Sequence, residues 1–162
     1  LVDDLKNDIP ENVFIIRSSS KSFALAGMRI GYVIGPVQGV NYLKRWFPET
    51  CLSSFSMACF TAVLQNTEKL AKMQQAVIAH RSMFENALSE IEGIKTIPGK
   101  TNFVLFSGPN RTFPGAFFKF AYEKGIYIAT VPASEIHDGY VRCTVCTPED
   151  QGKLLEALCA FL

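Results

Sequence analysis

The sequence predicts an α/β fold in residues 1–92, followed by a small α+β unit in residues 93–162. Two patterns predict this arrangement. Residues 12–17 (NVFIIR) and 29–34 (RIGYVI) are largely apolar without alternation, which is typical of strands covered on both faces of an α/β sheet. After Gly93 the pattern becomes strand, helix, strand, strand and helix, which is the order of a compact α+β unit.

The first part also contains helices with recognisable ends. Residues 40–47 predict a short helix, and Ser53 or Ser54 is a suitable N-cap for a long helical region that breaks near residues 66–67. Gly93 is well placed to end that region, because glycine readily adopts the left-handed conformation found after helices. The apolar stripe of its second half comprises Met73, Val77, Phe84, Leu88 and Ile91.

In the second part, strand material surrounds two helices. Residues 114–124 predict a helix with proline in its first turn and Gly125 after its end. Thr147 is the expected N-cap of the last helix, whose first turn carries two acidic residues. We expect the boundary between the two parts near residues 90–95. The predicted strands are residues 95–97, 102–106, 126–131 and 140–145.

Composition excludes several classes of protein. Of the 162 residues, 48% are hydrophobic and 19% are charged, a balance that excludes a disordered chain. A net charge of +1 without a dense basic face argues against nucleic-acid binding, and no apolar run is long enough to predict a membrane span. Because the chain begins with Leu1 and is rather apolar, we expect a piece of a longer protein, with a processed full-length protein as the alternative.

Five cysteines lie scattered in apolar surroundings, which predicts reduced thiols in a cytoplasmic protein. Cys143 and Cys146 form C-x-x-C, but there is no second cysteine pair for zinc, so we expect no metal site. Cys146 lies near a predicted helix start, where a thiolate could be stabilised.

The segment RSSSKSFALAGMRIGY (residues 17–32) carries one lysine inside a run of serines. A solvated loop would explain the serines, but residues 23–28 offer no charge to keep the loop hydrated. The spacing Ser18-x-x-Lys21 also occurs in penicillin-binding serine hydrolases, which need S-D-N and K-T-G segments. This sequence has no S-D-N, and residues 100–102 (KTN) only approximate K-T-G.

A pyridoxal phosphate site is the third interpretation. Its chemistry needs an amine that condenses with an aldehyde, which Lys21 supplies, and nearby groups that hold a phosphate dianion. Ser18 and Ser20 can donate hydroxyl hydrogen bonds, and Arg29 can offer its guanidinium to phosphate oxygens. We expect Gly27 to supply the tight turn that returns Arg29 to the site.

SSSKSFALAGMRIGYVIG resembles the lysine segment of fold-type I, class I/II aminotransferases, S-x-S-K-x-F-x-L-A-G-x-R-x-G, especially that of the histidinol-phosphate aminotransferase group. The resemblance implies that Lys21 is the Schiff-base lysine. It also implies that Ser18, Ser20 and Arg29 contact the phosphate of the cofactor, pyridoxal 5′-phosphate.

The resemblance continues along nearly the whole chain. Residues 101–103 (TNF) are similar to the family's (S/T)-N-(F/Y) strand, which implies a substrate-binding role for Asn102. Residues 140–145 (YVRCTV) resemble the strand L-R-I-T-V, whose arginine binds the substrate carboxylate, so Arg142 inherits that role. Independently, an arginine inside an apolar strand is costly to bury without an anionic partner. A structural ion pair with an acidic side chain is the alternative for Arg142.

By this resemblance, residues 1–92 are the end of the cofactor-binding large domain with its linking helices, and residues 93–162 are the small domain. The implied enzyme is a homodimer that transfers an amino group between an amino acid and a 2-oxo acid, or from an amino phosphate such as histidinol phosphate. A decarboxylase of the same fold and a non-catalytic fragment remain as alternatives.

The sequence also departs from the family pattern. The family's glycine-rich phosphate loop, stacking aromatic residue, asparagine and pyridinium-binding aspartate would all precede residue 1, and Asp3 and Asp4 lie too near the lysine strand for the last role. Residues 130–139 (TVPASEIHDG) are short and lack the family's frequent extra arginine. The choice of substrate therefore stays open.

Overall fold

The structure, a computed structural model, describes residues 9–47, 51–134 and 138–162, and the strands in these ranges form two antiparallel sheets. The chain divides between Lys72 and Met73 into two compact units, called here the first and the second unit. Both units combine helices with a sheet. The functional division into residues 1–92 and 93–162 stays a prediction.

The first unit contains a two-stranded sheet. Strand β1 (Ile15–Ser18) pairs with β2 (Gly31–Ile34) so that Ser18 lies opposite Gly31. The apolar runs predicted strands covered on both faces. Ile16 is 78% exposed, however, so the described residues leave one face of this hairpin uncovered. Its connection, residues 19–30, contains the lysine segment.

Three helices follow the hairpin: α1 (Val37–Lys44), α2 (Ser54–Leu64) and α3 (Thr67–Ser89). Helix α1 begins three residues earlier than predicted, directly after Pro36, whose ring fixes φ at a value compatible with a helix start. The predicted N-cap of α2 is confirmed, because Ser53 Oγ accepts a hydrogen bond from the Ser56 amide at 3.0 Å. The predicted break near residues 66–67 separates α2 from α3.

The second unit contains a four-stranded sheet with the order β3-β4-β6-β5, in which all neighbours are antiparallel. The strands are β3 (Lys95–Ile97), β4 (Phe103–Ser107), β5 (Ala129–Val131) and β6 (Tyr140–Thr144). Since side chains alternate along a strand, buried Val141 and Cys143 point to one face of the sheet and half-buried Arg142 to the other.

Helices α4 (Phe113–Glu123) and α5 (Pro148–Phe161) pack against the buried face of this sheet. Thr147 caps α5 as predicted, since its Oγ1 accepts from the Asp150 amide at 3.3 Å. The second half of α3 belongs to the same core through Phe84 and Leu88, two members of the predicted apolar stripe. None of the helices in the described ranges is both long and apolar enough to cross a lipid bilayer.

Two glycines beside the core allow a matched test of this packing. A Cβ at Gly108 would overlap the ring of Phe113, which is 3% exposed, whereas a Cβ at Gly115 in α4 would have no atom within 4 Å. We expect Gly108→Ala to lower the free energy of unfolding by about 1–3 kcal/mol because the core is overpacked. Gly115→Ala should raise it by up to about 1 kcal/mol, because alanine favours a helix over glycine. Denaturant unfolding measures both, and effects of equal sign would contradict the packing.

Candidate active site

Ser19 closes the base of the β1–β2 connection. Its side chain is fully buried, its Oγ donates a hydrogen bond to the Ile30 carbonyl at 2.8 Å, and its amide donates to the same oxygen at 3.0 Å. The Leu25 amide in turn donates to the Ser19 carbonyl at 3.1 Å. The sequence analysis did not single out Ser19. Alternation at the end of the strand could have identified it. Successive side chains along a strand point to opposite sides, so the middle one of three serines points the other way from its two neighbours.

Lys21 lies in the turn that follows this anchor. Its carbonyl accepts a hydrogen bond from the Ala24 amide at 3.1 Å, and its side chain is exposed. The backbone of Lys21 is therefore held by the turn, while the described residues leave its amine accessible.

The three predicted phosphate-binding residues lie in or beside the same connection. The Ser20 amide donates to Ser18 Oγ at 3.2 Å, which holds these two serines together. Arg29 Nη1 donates to the Ala26 carbonyl at 3.2 Å, so one of five guanidinium N–H groups is used inside the loop. The others remain chemically suited to an anion.

Gly27 lies in the tight turn expected of it, but it does not use the conformational freedom of glycine. The residues with left-handed backbone conformations are Ala24 (φ 55°) and Arg29 (φ 56°), while Gly27 lies in a 3₁₀ turn, Ala26–Met28, without positive φ. A left-handed non-glycine residue costs roughly 1–2 kcal/mol, and such strain is concentrated at functional sites. A Cβ at Gly27 would meet no atom within 4 Å, so the described structure leaves open space beside the loop there.

The chemistry of this loop fits pyridoxal phosphate. The end of β1 and the connection that follows it carry an exposed amine, two hydroxyls and a guanidinium, with open space at Gly27. An aldehyde that also bears a phosphate dianion needs an amine for the first group and hydrogen-bond donors for the second. The individual residue roles stay predictions.

Arg142 lies in the second unit, opposite Leu105 of β4 and Ala129 of β5. Its guanidinium carbon lies 4.2 Å from the centroid of the Phe103 ring, within the range of a cation–π interaction. Arg142 is half-buried rather than enclosed, because it points away from the core. Among residues 73–134 and 138–162, no ion pair includes Arg142, so these residues give no support to the structural alternative.

Asn102 directly precedes β4. Its carbonyl accepts a hydrogen bond from the Val145 amide at 2.9 Å, and its side chain is half-buried. The bond continues the β4–β6 ladder by one step, which fixes the backbone of Asn102 beside the strand that carries Arg142. The structure therefore brings these two predicted substrate-binding residues to adjacent strands.

Cys143 and Cys146, the C-x-x-C pair, both have raised pKa values. Burial, with Cys146 as a lesser cause, raises the pKa of Cys143 to about 12. Burial and the Asp150 carboxylate raise the pKa of Cys146, which does not favour a stabilised thiolate at this helix start. The described ranges contain no group of three or more potential metal ligands.

Comparison with known proteins identifies the family. Residues 2–158 match the model of "Aminotransferase class I and II". The chain belongs to the class I and II aminotransferase family. It is 32% identical over 149 residues to histidinol-phosphate aminotransferase from Methanococcus aeolicus; the match covers 91% of this chain and 40% of that protein. The predicted resemblance to this family is thus confirmed.

Solved structures confirm the fold class. This aminotransferase chain matches histidinol-phosphate aminotransferase from Clostridium acetobutylicum with a TM-score of 0.83 and 24% identity, covering 98% of this chain and 47% of that one. It also matches a decarboxylase from Sulfurospirillum multivorans with a TM-score of 0.80 and 24% identity, covering 100% and 47% of the two chains. The chain therefore spans less than half the length of these proteins. Asp3 and Asp4 lie outside the described residues.

Proposed function

We propose that this protein acts in pyridoxal-phosphate-dependent transamination, with Lys21 as the residue that binds the cofactor. Its substrates would be an amino donor and a 2-oxo acid, or an amino phosphate such as histidinol phosphate. The observation that carries the proposal is that, in a class I and II aminotransferase chain, the end of β1 and the connection after it present an amine, two hydroxyls and a guanidinium. The cytoplasmic location and the homodimer inferred from sequence belong to the same proposal.

Bound pyridoxal phosphate supplies an aldehyde that condenses with amines and a ring that accepts an electron pair from the substrate Cα. The Lys21 amine would hold that aldehyde until an amino substrate takes its place. The freed amine would then act on the substrate Cα proton, first as a general base and afterwards as a general acid. An exposed lysine on an anchored turn is suited to this exchange, because its long side chain moves while its backbone does not.

Ser18, Ser20 and Arg29 hold the phosphate in this proposal. Two hydroxyls provide directional hydrogen bonds, and the guanidinium provides permanent charge and further N–H donors. The buried Ser19 supports them from the other side of the loop by fixing the base of the connection. Binding the phosphate at several points prevents rotation of the cofactor about the Lys21 bond.

Arg142 binds the anionic group of the substrate, with Asn102 beside it. The Phe103 ring lies against the guanidinium, with 4.2 Å between the guanidinium carbon and the ring centroid, and the planar guanidinium carries five N–H donors. A carboxylate or phosphate can then accept two parallel N–H bonds. Since a decarboxylase shares the fold, analysis of the products distinguishes the two activities: transamination leaves a 2-oxo acid, whereas decarboxylation releases carbon dioxide.

The direct test traps the cofactor on the protein. We expect incubation with pyridoxal phosphate, reduction with borohydride and peptide mass analysis to place a phosphopyridoxyl group on Lys21 ahead of the other lysines. A Lys21→Arg variant is the matched control, because it keeps the positive charge but cannot condense with the aldehyde. Labelling spread evenly over all lysines, and unchanged by this substitution, would count against Lys21 as the binding residue.

A further inference from the structure

The turn between β3 and β4, residues 98–102, is held from one face of helix α3. Arg81 Nη1 donates a hydrogen bond to the Thr101 carbonyl at 3.1 Å. One helical turn further along, Glu85 Oε1 accepts a hydrogen bond from the Gly99 amide at 3.3 Å. Residues four apart lie on the same side of a helix, so the two side chains act together on opposite ends of one short turn.

The helix that carries this pair is itself fixed. Phe84 and Leu88, which alternate with the pair along α3, are 1% and 0% exposed in the core of the second unit. The pair therefore holds the turn against a helix whose position is set by packing, not against another loop.

The geometry of the Arg81–Glu85 ion pair is imperfect. The side chains of Arg81 and Glu85 are only 11% and 20% exposed, yet Arg81 Nε lies 3.9 Å from Glu85 Oε1. At that distance Nε is a buried donor that has no hydrogen-bond partner among the described residues. Apolar side chains of similar volume often stabilise a fold as well as a buried ion pair does, so the two hydrogen bonds to the turn point to a role in placing that turn.

The turn that Arg81 and Glu85 bind adjoins the proposed substrate-binding groups. Thr101, whose carbonyl Arg81 holds, also donates from Oγ1 to the Phe103 carbonyl at 3.1 Å. Asn102 lies between them, and the ring of Phe103 supports the guanidinium of Arg142. A shift of the turn would therefore move Asn102 and the surface on which Arg142 rests.

We infer that Arg81 and Glu85 are positioning residues for the substrate-binding groups Asn102 and Arg142. The effect of this pair on catalysis rests on the proposed function. The link from Arg81 to Arg142 rests only on the contacts described above. The pair touches neither the substrate nor the cofactor in this proposal. It acts through the backbone of residues 99–101.

Substitutions at both positions test the inference through steady-state kinetics. We expect Arg81→Met to raise the KM for the amino donor about 10-fold with a smaller change in kcat, since displaced binding groups weaken substrate binding first. Arg81→Lys should recover part of the loss, because an ammonium group can donate to the Thr101 carbonyl but lacks the planar fork. Glu85→Gln keeps an oxygen for the Gly99 amide and should change KM less than Arg81→Met.

A matched control lies on the same helix. Lys72 forms an i,i+4 ion pair with Glu68 at 2.8 Å, and both side chains are strongly exposed at 74% and 85%. Lys72→Met removes an α3 cation without touching the turn, so KM should stay at the wild-type value.

A second measurement does not depend on turnover. Protons of the Arg142 side chain above the Phe103 ring should have NMR signals shifted upfield by the ring current, and loss of these signals in Arg142→Lys assigns them. Arg81→Met should move them towards the values of a free arginine, whereas Lys72→Met should not.

The outcomes separate the inference from the proposed function. If Arg81→Met lowers the melting temperature but leaves both KM and the Arg142 signals unchanged, the pair is only structural and the inference is overturned. If the wild-type protein does not transaminate while the Arg142 signals still respond to Arg81→Met, the proposed function fails and the geometric link stands.

Discussion

We expect Lys21→Ala to abolish transamination while leaving the protein folded. Alanine cannot condense with an aldehyde and cannot transfer a proton at the substrate Cα, so one substitution removes both proposed roles of the amine. The loss of kcat should be on the order of 10⁴-fold or more, the upper range for a single proton-transferring residue. Stability should change by less than about 0.5 kcal/mol, because the Lys21 side chain is exposed and its turn is held by backbone hydrogen bonds.

Turnover of an amino donor, measured together with thermal unfolding, checks this expectation. Lys119→Ala is a suitable control, because Lys119 is an exposed lysine on α4 outside both proposed binding sites. Its variant should transaminate at the wild-type rate. Wild-type transamination by Lys21→Ala would refute the assignment of Lys21, and loss of folded protein would assign it a structural role instead.

The main elements could be predicted from the sequence because their signals are local. Helix caps such as Ser53 and Thr147 depend on hydrogen bonds to residues three positions away, and the predicted stripe identified Phe84 and Leu88 as core residues. The end of α3 was less well defined locally: the helix stops at Ser89, while the glycine with positive φ is Gly93. The described turn residues between them carry no strong breaker.

The contacts that shape the candidate site are not local, and the sequence predicted them less well. Ser19 bonds to a carbonyl eleven positions away, so nothing near it in the sequence distinguishes it from Ser18 and Ser20. Gly27 lies in the tight turn expected of it, yet the left-handed conformations of the loop fall at Ala24 and Arg29, where the sequence carries no glycine. Here the closed hairpin overrides the intrinsic preference of each residue.

Strand alternation likewise predicts only part of the surroundings of Arg142. The period of two predicts that Arg142 points away from Val141 and Cys143, but it does not say which face of the sheet the helices cover. The structure places α4 and α5 on the Val141 side. Arg142 is therefore less buried than its apolar neighbours in sequence had suggested, and its contact with Phe103 could not be predicted because it joins two different strands.

Arg142→Met should weaken binding of the substrate far more than it slows the chemical step. Loss of a two-point hydrogen bond to an anion is expected to raise KM for a carboxylate donor by roughly 10- to 100-fold, in line with the energy of a charge-assisted pair. Folding should lose only about 1 kcal/mol, the scale of one cation–π contact at a half-buried site. Steady-state kinetics over a range of donor concentrations, with thermal unfolding in parallel, measures both quantities. A large fall in stability with unchanged KM would assign Arg142 to the fold alone.

Two further variants divide the role of Arg142 into its parts. Arg142→Lys keeps one positive charge but loses the planar fork, so it should recover part of the binding. Phe103→Leu keeps an apolar surface under the guanidinium but removes the aromatic face, so it should affect KM less than Arg142→Met. If Phe103→Leu proved the more damaging of the two, the ring rather than the cation would be the group that the substrate needs.

The anionic group of the donor provides the sharpest discrimination. An amino acid offers a carboxylate, histidinol phosphate offers a phosphate, and a simple alkylamine offers neither. If Arg142 acts through charge and hydrogen bonds to the substrate, its removal should weaken binding of the first two donors and leave the already weak binding of the third unchanged. The phosphate donor should lose more than the carboxylate donor, because a dianion interacts more strongly with a guanidinium than a monoanion does. An equal loss for all three donors would show that Arg142→Met acts by distorting the site, since an amine without an anionic group has nothing for the guanidinium to bind.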